Sequence, residues 1–380
     1  MINSIKEYVN SSMDELCALH RELCLIPAPS LCEERRAEFC LGWFDKNCGE
    51  GAYIDEAKNV IFPYRADGAD SLTVFCAHTD TVFPDTKPMP YIEEGDYIRS
   101  PGVCDDTASL AVMMMCAKYF VKNNIKTEGG VLFVANSGEE GLGNLLGTRA
   151  VFSAYGDRIK RFVSYDSTFP DIANRSVGSH RDLVEVKTEG GHSWLAFGKK
   201  SAICELSRII SALYSIEIPK KEGARATLNV GTIEGGTSVN TIAEGAKMLC
   251  EYRSDDRELL AFMEAEFERI FDEARCDGVS VAVERVGERP CMGEVDPVAQ
   301  AELENICARI TEEVRGVPVV FKASSTDANI PHSLGIPALA VAVVEGGGLH
   351  TRDEWMYKPS LVDGLEICIK ISAEVSSIKD

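Results

Sequence analysis

Four short apolar runs constrain this chain more than any other feature. Leu72-Thr73-Val74-Phe75-Cys76-Ala77, Val131-Leu132-Phe133-Val134-Ala135, Phe162-Val163-Ser164-Tyr165 and the stretch from Ala338 to Val344 are nearly continuous in apolar residues. A strand with one wet face alternates apolar and polar; these do not, so they read as strands covered on both sides. Helical patterns lie between and beside them. Ser12-Met13-Asp14-Glu15 reads as a capping box before Leu16, Leu19 and Leu23, and Pro27 and Pro29 stop that helix. Ser30 to Glu33 opens a second helix through Phe39, Trp43 and Phe44. Ala108 to Phe120 is too apolar for a surface helix, with Met113, Met114 and Met115 as core filler. Further helices fit Leu145 to Phe152, Val298 to Val314 and Val362 to Val375. The fold class is therefore α/β, a mostly parallel sheet flanked by helices.

Between residues 181 and 290 the grammar changes. Strand (Leu183 to Lys187), helix (Ser201 to Tyr214), strand (Ala226 to Ile233), strand (Ala246 to Tyr252), helix (Asp256 to Arg275) and strand (Val279 to Val286) follow in turn. That order, β-α-β-β-α-β, is a ferredoxin-like α+β unit. The expected organisation is one α/β domain, residues 1–180 and 291–380, interrupted by an inserted domain over residues 181–290.

Composition excludes several classes. A length of 380 residues suits two domains, and 45% hydrophobic with 26% charged residues is the balance of a soluble globular chain. A net charge of −21 repels phosphate backbones, so neither nucleic acid nor an anionic membrane is an expected partner. No apolar run approaches the roughly 20 residues that span a bilayer. The opening MINSIKEYVNSSMDE does not read as a signal peptide. The 14 cysteines form no C-x-x-C pair and read as reduced, mostly buried thiols, which points to the cytoplasm.

Polar residues gather just past the ends of the apolar runs: His78-Thr79-Asp80, Asn136-Ser137-Gly138-Glu139-Glu140, Asp166, and Glu345 through His350. Ligands of open α/β sheets bind at the carboxyl ends of strands, so these loops should converge, joined by Asp105-Asp106 before the buried helix. Singly, each is a capped helix or a solvated turn. Together, carboxylates sharing one crevice repel unless neutralised, and a pair of divalent cations would neutralise them. Two histidines with carboxylates suit Zn²⁺, or Co²⁺ or Mn²⁺.

His78-Thr79-Asp80, Gly102-Val103-Cys104-Asp105-Asp106, Gly138-Glu139-Glu140-Gly141, Asp166 and Gly347-Gly348-Leu349-His350 resemble, in order, the motifs of the dinuclear zinc peptidases and amidohydrolases that include peptidase T, aminoacylase and succinyl-diaminopimelate desuccinylase. The resemblance covers nearly the whole chain and implies a zinc-peptidase-type fold with an inserted lid. It implies His78 and Asp166 on one metal, Glu140 and His350 on the other, and Asp105 bridging both. Asp80 would hold the second nitrogen of His78, and Glu139 would be the general base. Gly190-Gly191-His192-Ser193 resembles the lid motif whose histidine stabilises the oxyanion, often across a homodimer interface. Asn240, in Gly235-Gly236-Thr237-Ser238-Val239-Asn240, and Arg253 match substrate-binding lid positions; Ser324 to Asn329 echoes a substrate-side loop.

The sequence departs from many relatives in one place, where Thr107-Ala108-Ser109 replaces a lysine-containing stretch. Asp at position 166, where deacylases and carboxypeptidases more often carry Glu, tilts the reading toward an aminopeptidase on di- or tripeptides. The alternative within the same chemistry is an N-acyl-amino-acid deacylase or carboxypeptidase; a catalytically inactive binding protein on the same fold is the alternative from another class. Gly141-Leu142-Gly143 fails as a dinucleotide fingerprint because Leu146 takes the sixth position and Glu139-Glu140 would face the pyrophosphate. No G-x-S-x-G elbow is present.

Overall fold

A computed structural model describes residues 2–379. The chain divides into two compact units, one made of residues up to Ser176 and from Gly293 onward, the other of Val177–Met292. The first unit opens with α1 (Ile2–Cys24), α2 (Glu34–Cys48), β1 (Tyr53–Ile54), β2 (Val60–Tyr64) and β3 (Leu72–His78). A hairpin of β4 (Ile92–Glu94) and β5 (Tyr97–Arg99) precedes α3 (Thr107–Asn123), β6 (Gly130–Asn136), α4 (Leu146–Tyr155), β7 (Ile159–Tyr165) and β8 (Asp171–Ser176). The second unit holds β9 (Gly178–Lys187), β10 (Gly191–His192), α5 (Ala202–Leu213), β11 (Ala226–Gly235), β12 (Thr241–Ile242), β13 (Gly245–Ser254), α6 (Arg257–Ala274) and β14 (Ser280–Arg289). The chain then completes the first unit with α7 (Pro297–Arg315), β15 (Val320–Ser324), α8 (Asn329–Ser333), β16 (Ala338–Val341), β17 (Gly346–Gly347), β18 (Trp355–Tyr357) and α9 (Ser360–Val375).

The first unit is organised by an eight-stranded sheet of order β1-β2-β6-β3-β7-β16-β8-β15. Its middle, β6-β3-β7-β16, is parallel. β2 runs antiparallel to β6 on one side and β8 antiparallel to β16 on the other. Successive residues of these strands supply opposite faces. Phe75, Ala77, Phe133, Val163 and Tyr165 pack into a core with residues of α1, α3 and α9. Val74, Cys76, Leu132, Val134 and Phe162 pack on the reverse face with Val151 and Phe152 of α4. Two hydrophobic faces explain why alternation is missing from the sequence.

Helix boundaries follow local chemistry where it is strong. Asp296 caps α7 by accepting from Val298 N, Pro297 starts it, and Gly316 ends it at φ 70°. The Ser12–Glu15 box, by contrast, lies inside α1 and starts nothing. Ile5, Tyr8 and Val9 extend the buried stripe of Leu16, Leu19 and Leu23 into the core, and packing of that stripe overrides the cap signal. β8 and β15 had no counterpart in the sequence reading; both are only partly buried and carry no continuous apolar run.

In the second unit β11-β13-β9-β14 form one antiparallel sheet. Val184, Val186, Met248 and Tyr252 pack against Leu206 and Ile209 of α5 and Met263 and Phe267 of α6. This is the ferredoxin-like arrangement. Among the described residues most cysteines are buried and none forms a disulfide, and no helix is long and apolar enough to cross a membrane.

Candidate metal centre

His78 closes β3, and its ring is 1% exposed. Its Nδ1 lies 3.0 Å from the carbonyl oxygen of Asp80 and 3.4 Å from Asp80 Oδ1. A carbonyl can only accept, so Nδ1 carries the hydrogen and Nε2 is turned toward the cluster. Nε2 stands 3.1 Å from Asp105 Oδ1. The other oxygen of the same carboxylate, Asp105 Oδ2, is 3.1 Å from His350 Nε2, which is also 3.0 Å from Glu140 Oε1. Asp105 thus offers one oxygen to each histidine.

Three groupings of donor atoms lie within 4.8 Å of one another: His78, Asp105 and Asp166; Asp105, Glu140 and His350; and His78, Glu139 and Glu140. The seven residues predicted for the centre in this unit (His78, Asp80, Asp105, Glu139, Glu140, Asp166 and His350) come together from loops after β3, β6, β7 and β17 and from the turn before α3. Asp80 makes the expected carboxylate contact with His78 Nδ1 only at 3.4 Å, and does more besides. Its contact with His78 is chiefly through its backbone carbonyl, while its carboxylate accepts from the amides of Glu139 (3.0 Å) and Glu140 (2.9 Å) and from Ser30 Oγ (2.6 Å).

The electrostatics call for positive charge. Burial, then the Asp105 carboxylate, pushes the Asp166 carboxyl up to about 7. Hydrogen bonds to Asp105 and Glu140 raise His350 to about 10. Burial alone would lower His78, but the Asp105 hydrogen bond and the charges of Asp106 and Asp80 hold it well above its usual range. Burial would raise Asp105, yet its hydrogen bonds to His350 and His78 depress it. Left to itself, the cluster offsets its carboxylates with protons held on His78 and His350 and by a raised Asp166 carboxyl. Buried histidine and carboxylate donors that retain protons in this way are a donor set suited to divalent cations, which displace those protons. The residues present fit such ions.

Two further buried carboxylates support the centre, and of these Glu354 was not singled out in the sequence. Glu354 accepts from the amides of Gly102 (3.0 Å), Cys104 (2.8 Å) and Asp105 (2.9 Å), fixing the turn that carries Asp105. Burial raises its carboxyl to about 7. Asp327, in the Ser324–Asn329 loop, is fully buried and accepts from Asn136 Nδ2 (2.7 Å) and Thr148 Oγ1. It braces the end of β6 rather than presenting a free carboxylate. No sequence signal marks Glu354, which lies some 250 positions from its partners.

The remaining predicted residues belong to the second unit. His192 and Asn240 are neighbours there: β10 pairs with β12 through His192 and Thr241, and Ser193 N donates to Asn240 O at 3.0 Å. Arg253 sits at the opposite end of β13 from the turn that holds Asn240. Its guanidinium forms a two-bond pair with Glu251, at 2.8 and 2.9 Å.

Comparison with known proteins finds relatives over most of the chain. The Bacillus subtilis protein YqjE is 28% identical over 339 residues, covering 84% of this chain and 85% of that protein. A probable carboxypeptidase of Ajellomyces dermatitidis is 24% identical over 274 residues, 64% of this chain and 62% of its own length. Among solved structures, aminopeptidase PepT from Bacillus cereus shares the fold with a TM-score of 0.72, at 23% identity over 96% of this chain and 99% of that one. Residues 74–374 match the family profile of Peptidase family M20/M25/M40, and the chain is a member of that metallopeptidase family.

Proposed function

We propose that this protein is an aminopeptidase acting on short peptides through a pair of divalent metal ions. The observation that carries the reading is Asp105, whose two carboxylate oxygens each face a histidine of a separate donor group. His78 and Asp166 would hold one ion, Glu140 and His350 the other, and Asp105 both. Zn²⁺ fits this donor set best, with Co²⁺ and Mn²⁺ as the other candidates. When bound, such a pair polarises the scissile carbonyl and lowers the pKa of the attacking water.

The chain's own residues supply the rest. Glu139, beside a metal-facing carboxylate, takes the proton from the attacking water and returns it to the leaving nitrogen. Asp80 fixes the backbone of Glu139 and Glu140 and, through its carbonyl, the tautomer of His78. His192 is assigned to the developing oxyanion, and Asn240 and Arg253 to the substrate's carbonyl or carboxylate groups, in an inserted unit acting as a lid. The motif resemblance supports these three assignments. For Arg253, substrate must compete with Glu251 for the guanidinium. A homodimer is part of the same reading.

Aspartate at position 166 and the fold shared with an aminopeptidase favour free amino termini. The second reading, a carboxypeptidase or N-acyl-amino-acid deacylase, is favoured by the similarity to a probable carboxypeptidase. Metal-free protein reloaded with zinc, cobalt or manganese and given matched peptides with free or acetylated amino termini separates the two. Release of the first residue from the free set alone is the expected result. Turnover of the acetylated set would move the protein to the second reading.

A further inference from the structure

Asp80, Glu139 and Glu140 take their positions from a stretch of chain outside residues 74–374, the part matched to the family. Between α1 and α2 the backbone runs beside the exit of β3: Thr81 N donates to Ala28 O at 2.9 Å, and Pro29 bridges Thr81 in parallel. From there Ser30 Oγ reaches Asp80 Oδ2 at 2.6 Å and the Glu140 carbonyl at 3.2 Å. Three residues on, Glu33 Oε1 accepts from Leu31 N (2.7 Å) and from Gly138 N (3.1 Å), the amide just before Glu139.

One turn further, Arg36 is 1% exposed and forms no ion pair among the described residues, its guanidinium contacts being carbonyls and a hydroxyl. Its Nη1 donates to Thr79 O at 2.7 Å and lies 3.4 Å from Thr107 Oγ1; its Nη2 donates to Leu23 O (2.9 Å) and Ile26 O (2.7 Å). Thr79 separates His78 from Asp80, and Thr107 follows Asp105-Asp106. A buried guanidinium without an acidic partner is costly. Its planar fork is the device that can bind several carbonyls from different segments at once.

We propose that Ser30, Glu33 and Arg36 are positioning residues of this enzyme. Acting through Asp80, Gly138 and Thr79, they hold the His78–Asp80 turn and the Glu139–Glu140 turn in one fixed relation. Reacting groups displaced by about 1 Å lose on the order of 100-fold in rate, so a clamp here is felt in turnover. The inference rests on the reading of Glu139 and Asp80 as parts of the catalytic centre.

The deciding variants are Ser30→Ala and Ser30→Thr, with Glu139→Gln in the same assay. Ser30 is half-buried, so removing its hydroxyl opens no core cavity. Ser30→Ala is expected to lower kcat about 10-fold with KM within about twofold, and Ser30→Thr to restore most of it. In metal-free protein, hydrogen exchange at the Glu139 and Glu140 amides should quicken about 10-fold in Ser30→Ala, while the melting temperature moves by no more than about 4 °C. Normal kcat and unchanged exchange would overturn the proposal. So would a loss of kcat that tracks unfolding and is not rescued by threonine. Arg36→Lys, which keeps the charge and loses the fork, should lower kcat in the same way; if it does not fold, the Ser30 pair still decides. An active Glu139→Gln protein would sink the catalytic reading itself, whereas an inactive one beside a fully active Ser30→Ala protein would sink only the clamp.

Discussion

At the scale of single residues, the central question is what Glu139 does, because its carboxylate also falls in a donor grouping with His78 and Glu140. A base and a ligand respond differently to the same change. Glu139→Gln should reduce kcat by about 10²–10⁴-fold while metal content, measured by elemental analysis, stays at two ions. Loss of an ion with the activity would make Glu139 a ligand. Most residues of the centre were legible in the sequence because they follow the ends of buried strands, and Asp105 because it precedes the apolar helix α3. Ser30, Glu33, Arg36 and Glu354 were not. They act on groups of distant segments, mostly backbone amides and carbonyls, and no residue type or spacing advertises a partner such as the Asp105 amide to a glutamate at position 354.

Among the elements, the strands buried on both faces were the most readable, and β8 and β15 the least, since a half-wet strand of five or six residues has too few apolar positions to stand out. α1 shows the converse, a local cap signal overruled by a longer buried stripe. α9 illustrates a constraint invisible in sequence. A Cβ built at Gly364 would overlap the carbonyl oxygen of Val343, just beyond β16, so the helix can lie this close to the sheet only with glycine there. Gly364→Ala should destabilise the protein by about 1–3 kcal/mol, or more if the helix cannot shift, despite alanine's better helix propensity. Urea denaturation reads this directly, and a neutral or stabilising result would show that α9 moves away from the sheet freely.

For the molecule as a whole, two buried histidines outside the centre are expected to make stability fall in acid. His20 and His332 are 0% exposed, and burial lowers both to about 4. An unfolded histidine titrates near 6.5, so between pH 6.5 and 4 the unfolded chain binds more protons and stability falls as pH falls. Each group accounts for roughly 3 kcal/mol across that window. His20→Gln, which keeps a donor toward the Val103 carbonyl now 2.8 Å from Nε2, should flatten the dependence by about one proton. Unfolding free energies at pH 7 and pH 4.5 test this, and an unchanged slope would mean that His20 is protonated in the fold. Sedimentation of the intact protein tests the proposed dimer, with a monomer as the opposing result.

β16 enters the sheet between β7 and β8, although the second unit and α7 separate it from both along the chain. A ribosome delivers β7 and β8 as neighbours joined by a short loop, long before the strand that belongs between them. The emerging polypeptide therefore leaves unpaired the two strand edges that β16 later fills, and these can close on each other as a local hairpin. It also carries His78, Asp105, Glu140 and Asp166 without His350, so the first donor group can be complete while the second is not. Insertion of β16 and arrival of His350 belong to the same late stretch of translation, which ties completion of the sheet to completion of the donor cluster and leaves the half-made protein unable to assemble both donor groups.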